Sequence, residues 1–262
     1  MTRPIERQRR AEEEREYYSL SRRVYAIFAH FYDAVTFPLR RLRGEVASMV
    51  DLGPVSRILD VATGTGAQAS AFADKAGEVV GVDLSEAMLR IARRKNRFPN
   101  VTFQQADAAQ LPFDDGTFDA SCVSFALHEM PISIRERTIR EMARVTKPGG
   151  SVTVVDYGLP RNRVASSLVF HIVKLYEPDH YANFVRSDLA ALLQSAGIEP
   201  SEHRPALRGL AKIVTGRRSE AVARTTSSAL DPDRVPSHPL DRNGHALRVR
   251  RPSGESAIAS NA

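Results

Sequence analysis

Two apolar runs, each ending in an acid and set on either side of a glycine turn, constrain this 262-residue chain more than any other feature. The first is Arg57-Ile58-Leu59-Asp60-Val61, which leads into Ala62-Thr63-Gly64-Thr65-Gly66. The second is Val79-Val80-Gly81-Val82-Asp83. Joined through a helix-like segment, they make a βαβ unit, and such units bind ligands at the C-terminal ends of their parallel strands. The glycines let the backbone approach a ligand closely. Asp83 follows them by roughly 20 residues, the spacing at which a carboxylate accepts hydrogen bonds from ribose hydroxyls. The pattern therefore points to a nucleoside-containing cofactor. A dinucleotide motif would place its third glycine at Ala69, a substitution that motif tolerates. Asp60, however, would set negative charge beside a pyrophosphate. An acid at that strand end suits a ligand that carries an ammonium group.

Further segments follow in order. Gly81-Val82-Asp83-Leu84-Ser85-Glu86-Ala87-Met88-Leu89 continues the second strand into a helix. Asp107-Ala108 precedes Leu111-Pro112-Phe113-Asp114-Asp115-Gly116-Thr117-Phe118-Asp119, and Arg144-Val145-Thr146-Lys147-Pro148-Gly149-Gly150-Ser151 comes later. Together with Asp60–Gly66 these segments resemble the class I S-adenosylmethionine (SAM)-dependent methyltransferases, and among them the ubiquinone/menaquinone C-methyltransferase-like subgroup. The resemblance covers about residues 57 to 156. It implies an α/β, Rossmann-like, doubly wound, mostly parallel seven-stranded sheet with an N-terminal helical extension.

The resemblance also implies roles. Asp60, Ala62, Thr63, Gly64 and Gly66 would lie along the methionine moiety. Asp83 would hold the ribose. Leu84 and Met88 would flank the adenine, and Asp107 and Ala108 would meet its amino edge. Phe125 ends the fourth strand, where the transferable methyl emerges. Acceptor contacts are expected from Tyr32, His128, Glu129, Tyr157, His171 and Tyr181. The chain departs from the quinone enzymes at Ala67, where they commonly carry an acid, and at Leu127-His128-Glu129, where they carry Leu-Arg-Asn. A histidine at the mouth of the fourth strand suits a general base, so His128 is the catalytic candidate.

Methyl transfer from a sulfonium needs alignment and exclusion of water more than activation of the leaving group. No Cys/His spacing suggests a metal site. Cys122 falls inside an apolar strand and reads as a core residue. An Asn/Asp-Pro-Pro-aromatic segment, which amino-directed nucleobase methyltransferases carry, is missing after the fourth strand. The net charge of +6 attracts anionic partners only weakly in a chain of this length. The expected reaction is methyl transfer from SAM to a small, mostly apolar acceptor: quinone-like, lipid or secondary metabolite. The alternatives are a nucleic-acid or protein methyltransferase, or a non-catalytic SAM-binding protein. Nucleic acid is not expected as a partner.

Four regions are expected: a charged tail at 1–16, a helical lid segment at 17–50, the catalytic domain at 51–218, and a disordered tail at 219–262. Ser85 caps a helix over Glu86–Lys95. Further helices are expected over Ile134–Val145, over 164–176, and from a Ser187 cap to Ala196. Strands are expected at Val101–Phe103, Ala120–Phe125, Ser151–Val155 and Ala211–Thr215. No apolar stretch is long enough to span a membrane, which leaves peripheral contact compatible. With a single cysteine and no apolar leader, the expected location is cytoplasmic. The sequence is silent on oligomeric state.

Overall fold

The computed structural model describes residues 4–159 and 180–220. The expected helix at 164–176, His171, and residues 221–262 lie outside the described residues. Helix α1 (Pro4–Thr36) opens the chain, and a 3-10 turn at Phe37–Leu39 leads into α2 (Arg40–Met49). Strand and helix then alternate through β1 (Arg57–Val61), α3 (Ala67–Phe72), β2 (Glu78–Asp83), α4 (Glu86–Lys95) and β3 (Val101–Gln105). After β4 (Phe118–Ser124) come a 3-10 turn at Leu127–Glu129, α5 (Ile132–Val145) and β5 (Thr146–Tyr157). The last elements are α6 (Tyr181–Arg186), α7 (Leu189–Ser195), β6 (Ile198–Ala206), a 3-10 turn at Leu207–Gly209, and β7 (Ala211–Arg218).

The seven strands form one sheet in the order β3-β2-β1-β4-β5-β7-β6. β1 to β5 run parallel, and β7 lies antiparallel between β5 and β6. The strand order reverses beside β1, between β2 and β4, which puts the ligand crevice at the ends of these strands. Alternation along the strands divides the core between the two faces. Ile58, Val79, Ala120 and Cys122 pack with Leu42, Val46 and Phe72 of α2 and α3. Leu59, Val80, Val82 and Val123 pack with Ile139, Met142 and Leu193 of α5 and α7. Burying such side chains contributes about 1.5–3 kcal/mol each, which fixes the register that aligns the strand ends.

Several expectations change in the structure. α1 runs through the expected boundary at 16/17 without a break. The cap before α7 is Asp188, whose carboxylate accepts from the Ala191 amide at 3.1 Å. Ser187 instead donates to the Phe184 carbonyl at 2.6 Å and closes the preceding helix. The strand expected from Ser151 instead begins at Thr146, with an irregularity over 147–150, because Phe118 pairs with Thr146 while Ala120 pairs with Ser151. β6 carries no apolar alternation to announce it. It is an edge strand with Pro200 and Pro205, residues that blunt pairing with another chain.

Candidate active site

The turn after β1 is built around left-handed backbone. Gly64 has φ +56° and Gly66 has φ +76°. At Gly66 a Cβ would also meet the Phe103 ring at 2.5 Å, so this glycine serves helix packing and does not line the cleft. Ala62 and Phe125, at the ends of β1 and β4, take φ +53° and +52° despite their side chains. Backbone of this kind outside glycine is strained and concentrates at functional sites. Both residues line the two clefts described next.

The larger cleft, about 700 Å³, is lined by Tyr17, Tyr32, Ala62, Gly64, Asp83, Leu84, Ser85, Met88, Asp107, Ala108 and Phe125, with Glu129, Met130 and Ile134 on one side. Asp83 accepts from the Gly64 amide and from the Ser85 amide, each at 2.8 Å. Each carboxylate oxygen keeps a lone pair for a further donor. Burial pushes the Asp83 carboxyl up, and the two amides pull it back.

The second cleft, about 470 Å³, shares Tyr32, Ala62 and Phe125 with the first and adds Arg43, Asp60, Thr63, Gln68 and Ser124. Asp60 is 1% exposed. Its Oδ2 accepts from the Thr63 hydroxyl at 2.5 Å, while Oδ1 has no hydrogen-bond partner of ordinary geometry among the described residues. Burial pushes this carboxyl up to about 7, against the pull of Thr63, the Ala69 amide and Arg43. An under-satisfied buried acid on a cleft wall fits an ammonium group. Arg43, half-buried, donates to the Thr36 carbonyl at 3.2 Å and also faces this cleft. An acid and a guanidinium on one cleft suit the zwitterionic end of an amino acid. The acceptors of Asp83 and Asp107 and the opposite charges of Asp60 and Arg43 are groups that could hold the hydroxyls, amino edge and zwitterionic end of SAM.

The remaining expected residues divide. Glu129 and Tyr32 face the larger cleft. His128 does not line either cleft, being 2% exposed, with Nδ1 2.7 Å from Asp156 Oδ1. Its ring packs edge-on against Tyr157 at 4.6 Å, and Tyr157 packs against Tyr181 at 5.7 Å. His128, Tyr157 and Tyr181 thus form an aromatic layer behind the Phe125–Glu129 wall. Behind that layer, Phe184 lies between the Arg135 guanidinium at 4.8 Å and the Lys212 ammonium at 4.6 Å. Arg43, Asp156 and Tyr18 carry no local sequence signal, because each acts across the fold.

A family model described as a methyltransferase domain matches residues 58–150. A demethylmenaquinone methyltransferase from Renibacterium salmoninarum is 40% identical over 121 residues, covering 46% of this chain and 49% of that protein. The chain thus spans about half the length of the first curated relatives it matches. The ubiquinone/menaquinone biosynthesis C-methyltransferase UbiE of Idiomarina loihiensis is 32% identical over 212 residues, covering 70% of this chain and 83% of that one. Among solved structures, the YcgJ protein from Bacillus subtilis superposes with a TM-score of 0.56 at 22% identity, covering 68% of this chain and 98% of that one. The [4+2]-cyclase SpnF superposes with a TM-score of 0.55 at 24% identity, covering 69% and 81%. At these identities the solved structures speak for the fold. The curated relatives carry the assignment: the chain belongs to the SAM-dependent methyltransferases of the ubiquinone/menaquinone C-methyltransferase kind.

Proposed function

We propose that the protein transfers a methyl group from SAM to a small, mostly apolar, hydroxylated acceptor of quinone-like type. The observation that carries this reading is the pair of joined clefts, whose acids and arginine complement the hydroxyls and charges of SAM, with an apolar side beside them. Phe125, Met130, Ile134 and Tyr17 line that side, and Glu129 and Tyr32 are its polar groups. The names of the curated relatives support a quinone-like acceptor. SAM, when bound, supplies a methyl already activated on a sulfonium.

The chain's own residues then orient the acceptor, exclude water and receive its proton. Glu129 is the acid on the cleft side and takes the acceptor hydroxyl proton. His128, held by Asp156, backs that wall. Tyr32 bridges the two clefts, and burial pushes its hydroxyl up to about 12, so it stays a donor at neutral pH.

Among the described residues no helix is long and apolar enough to cross a membrane. Phe37 is 61% exposed, with the Arg40 guanidinium 5.1 Å from its ring, beside Leu39 and Arg43 of the second cleft. An apolar-basic tip of this kind suits peripheral contact with an anionic lipid surface. A cytoplasmic location is part of the same proposal.

The fold alone does not fix a reaction, so the test is direct. Methyl-labelled SAM is incubated with the protein and a panel of isoprenoid naphthoquinols, simple phenols and amino lipids. Label in a quinol product supports the reading. Label only in amino lipids, or SAM binding without transfer to any acceptor, contradicts it.

A further inference from the structure

α1 is fastened at two points along its length. In its first half, Glu14 accepts from the Ser133 hydroxyl at 2.7 Å and from both terminal nitrogens of Arg137 at 3.1 and 3.0 Å. Near its end, Asp33 accepts from the Thr65 hydroxyl at 2.5 Å and from Lys95 at 2.6 Å. One turn after Glu14, the Tyr18 hydroxyl donates to Asp107 Oδ2 at 2.7 Å. The other oxygen, Oδ1, accepts from the Ala109 amide at 2.8 Å. Asp107 lines the larger cleft, and so does Tyr17, whose ring packs edge-on against Tyr18 at 5.4 Å.

We propose that Tyr18 is a positioning residue for purine recognition, fixing Asp107 as a pure hydrogen-bond acceptor that selects a 6-amino purine over a 6-oxo purine. Each oxygen of Asp107 holds one donor and keeps a lone pair. A carboxylate so held rewards an exocyclic amine. It leaves a carbonyl facing an acceptor, which is unpaired on both sides and costly when buried. Burial first, and the Asp107 hydrogen bond second, push the Tyr18 hydroxyl up to about 12, so it remains a donor at neutral pH. Glu14 and Arg137 keep the turn that bears Tyr18 in place, with Arg137 gripping the Glu14 carboxylate two-pronged. The inference rests on the SAM reading of the cleft.

Calorimetric titration of the full chain with S-adenosylhomocysteine and with S-inosylhomocysteine tests it without any turnover. Wild type is expected to prefer the adenosyl ligand by about 100-fold or more, as sites built around a hydrogen bond do. Tyr18→Phe, a change on a part-exposed helix, is expected to keep the melting temperature and lose about tenfold in adenosyl affinity, the equivalent of one hydrogen bond to a charged group. It should leave the inosyl affinity within about twofold, so selectivity narrows. Asp107→Asn, which presents an amide, is expected to shift preference toward the inosyl ligand. Unchanged adenosyl affinity in Tyr18→Phe overturns the inference and leaves the SAM reading intact. Tighter binding also overturns it, since Tyr18 would then compete with the purine. A wild type that binds neither ligand overturns the SAM reading, and the inference with it.

Discussion

Asp156 holds His128 from two sides. Its Oδ1 lies 2.7 Å from the imidazole Nδ1, and its Oδ2 accepts from the His128 amide at 3.2 Å. Oδ1 also accepts from the Tyr157 amide at 2.7 Å. The acid at the end of β5 therefore fixes the turn that follows β4, and with it the cleft wall.

Removing that acid leaves buried donors without a partner. Asp156→Ala should lower stability by about 2–4 kcal/mol, read as a fall in the denaturant midpoint. His128→Ala should lower stability as well and leave SAM affinity nearly unchanged. A His128→Ala protein with wild-type stability, and a turnover defect that fades at high pH, would make His128 the base itself.

Glu129 is the acid on the wall. Glu129→Gln should lower turnover by about 100-fold with SAM affinity unchanged, and the defect should shrink as pH rises and the acceptor ionises unaided. A raised KM with unchanged kcat would reduce Glu129 to a shaping role.

Asp60 gives a pH signature. Its carboxyl is raised from 3.8 to about 7 in the folded protein. Between those values the folded state holds a proton that the unfolded chain has released, so this group lowers stability as pH rises through the window. Asp60→Asn should therefore gain stability over wild type between about pH 5 and 7.5. Over the same range wild-type SAM affinity should rise, because the ammonium favours the ionised acid. Asp60→Asn should flatten that rise. Parallel stability curves for the two proteins would show that Asp60 ionises normally.

Arg43 should hold the carboxylate of the amino-acid end. Arg43→Met should weaken SAM by about tenfold and methylthioadenosine, which lacks that carboxylate, by less than about twofold. Equal losses for both ligands would assign Arg43 to packing.

The strand-end geometry around Asp83 was legible in the sequence because it is local. Asp60, Gly64 and Asp83 belong to one βαβ unit, and their spacing alone puts them at neighbouring strand ends. The Ser85 cap was legible for the same reason, since its hydroxyl accepts from the Met88 amide at 3.4 Å, three residues on. Tyr18 meets Asp107 across 89 residues, and His128 meets Asp156 across 28, so neither pairing has a local signature. β6 was illegible because an edge strand facing solvent has no apolar face to display. The place of His128 after β4 suggests a cleft-facing ring. The pull of Asp156 and the packing of Tyr157 turn its ring inward instead.

If the cleft around Asp83 is the SAM site, titration with SAM separates wild type from Asp83→Ala. One SAM should bind per wild-type chain, and the variant's affinity should be lower by about 10- to 150-fold, the value of a charge-assisted contact. The melting temperature should also fall, because the same carboxylate holds the Gly64 and Ser85 amides, so the titration is run well below the variant's transition. Equal affinities for the two proteins would show that SAM binds elsewhere.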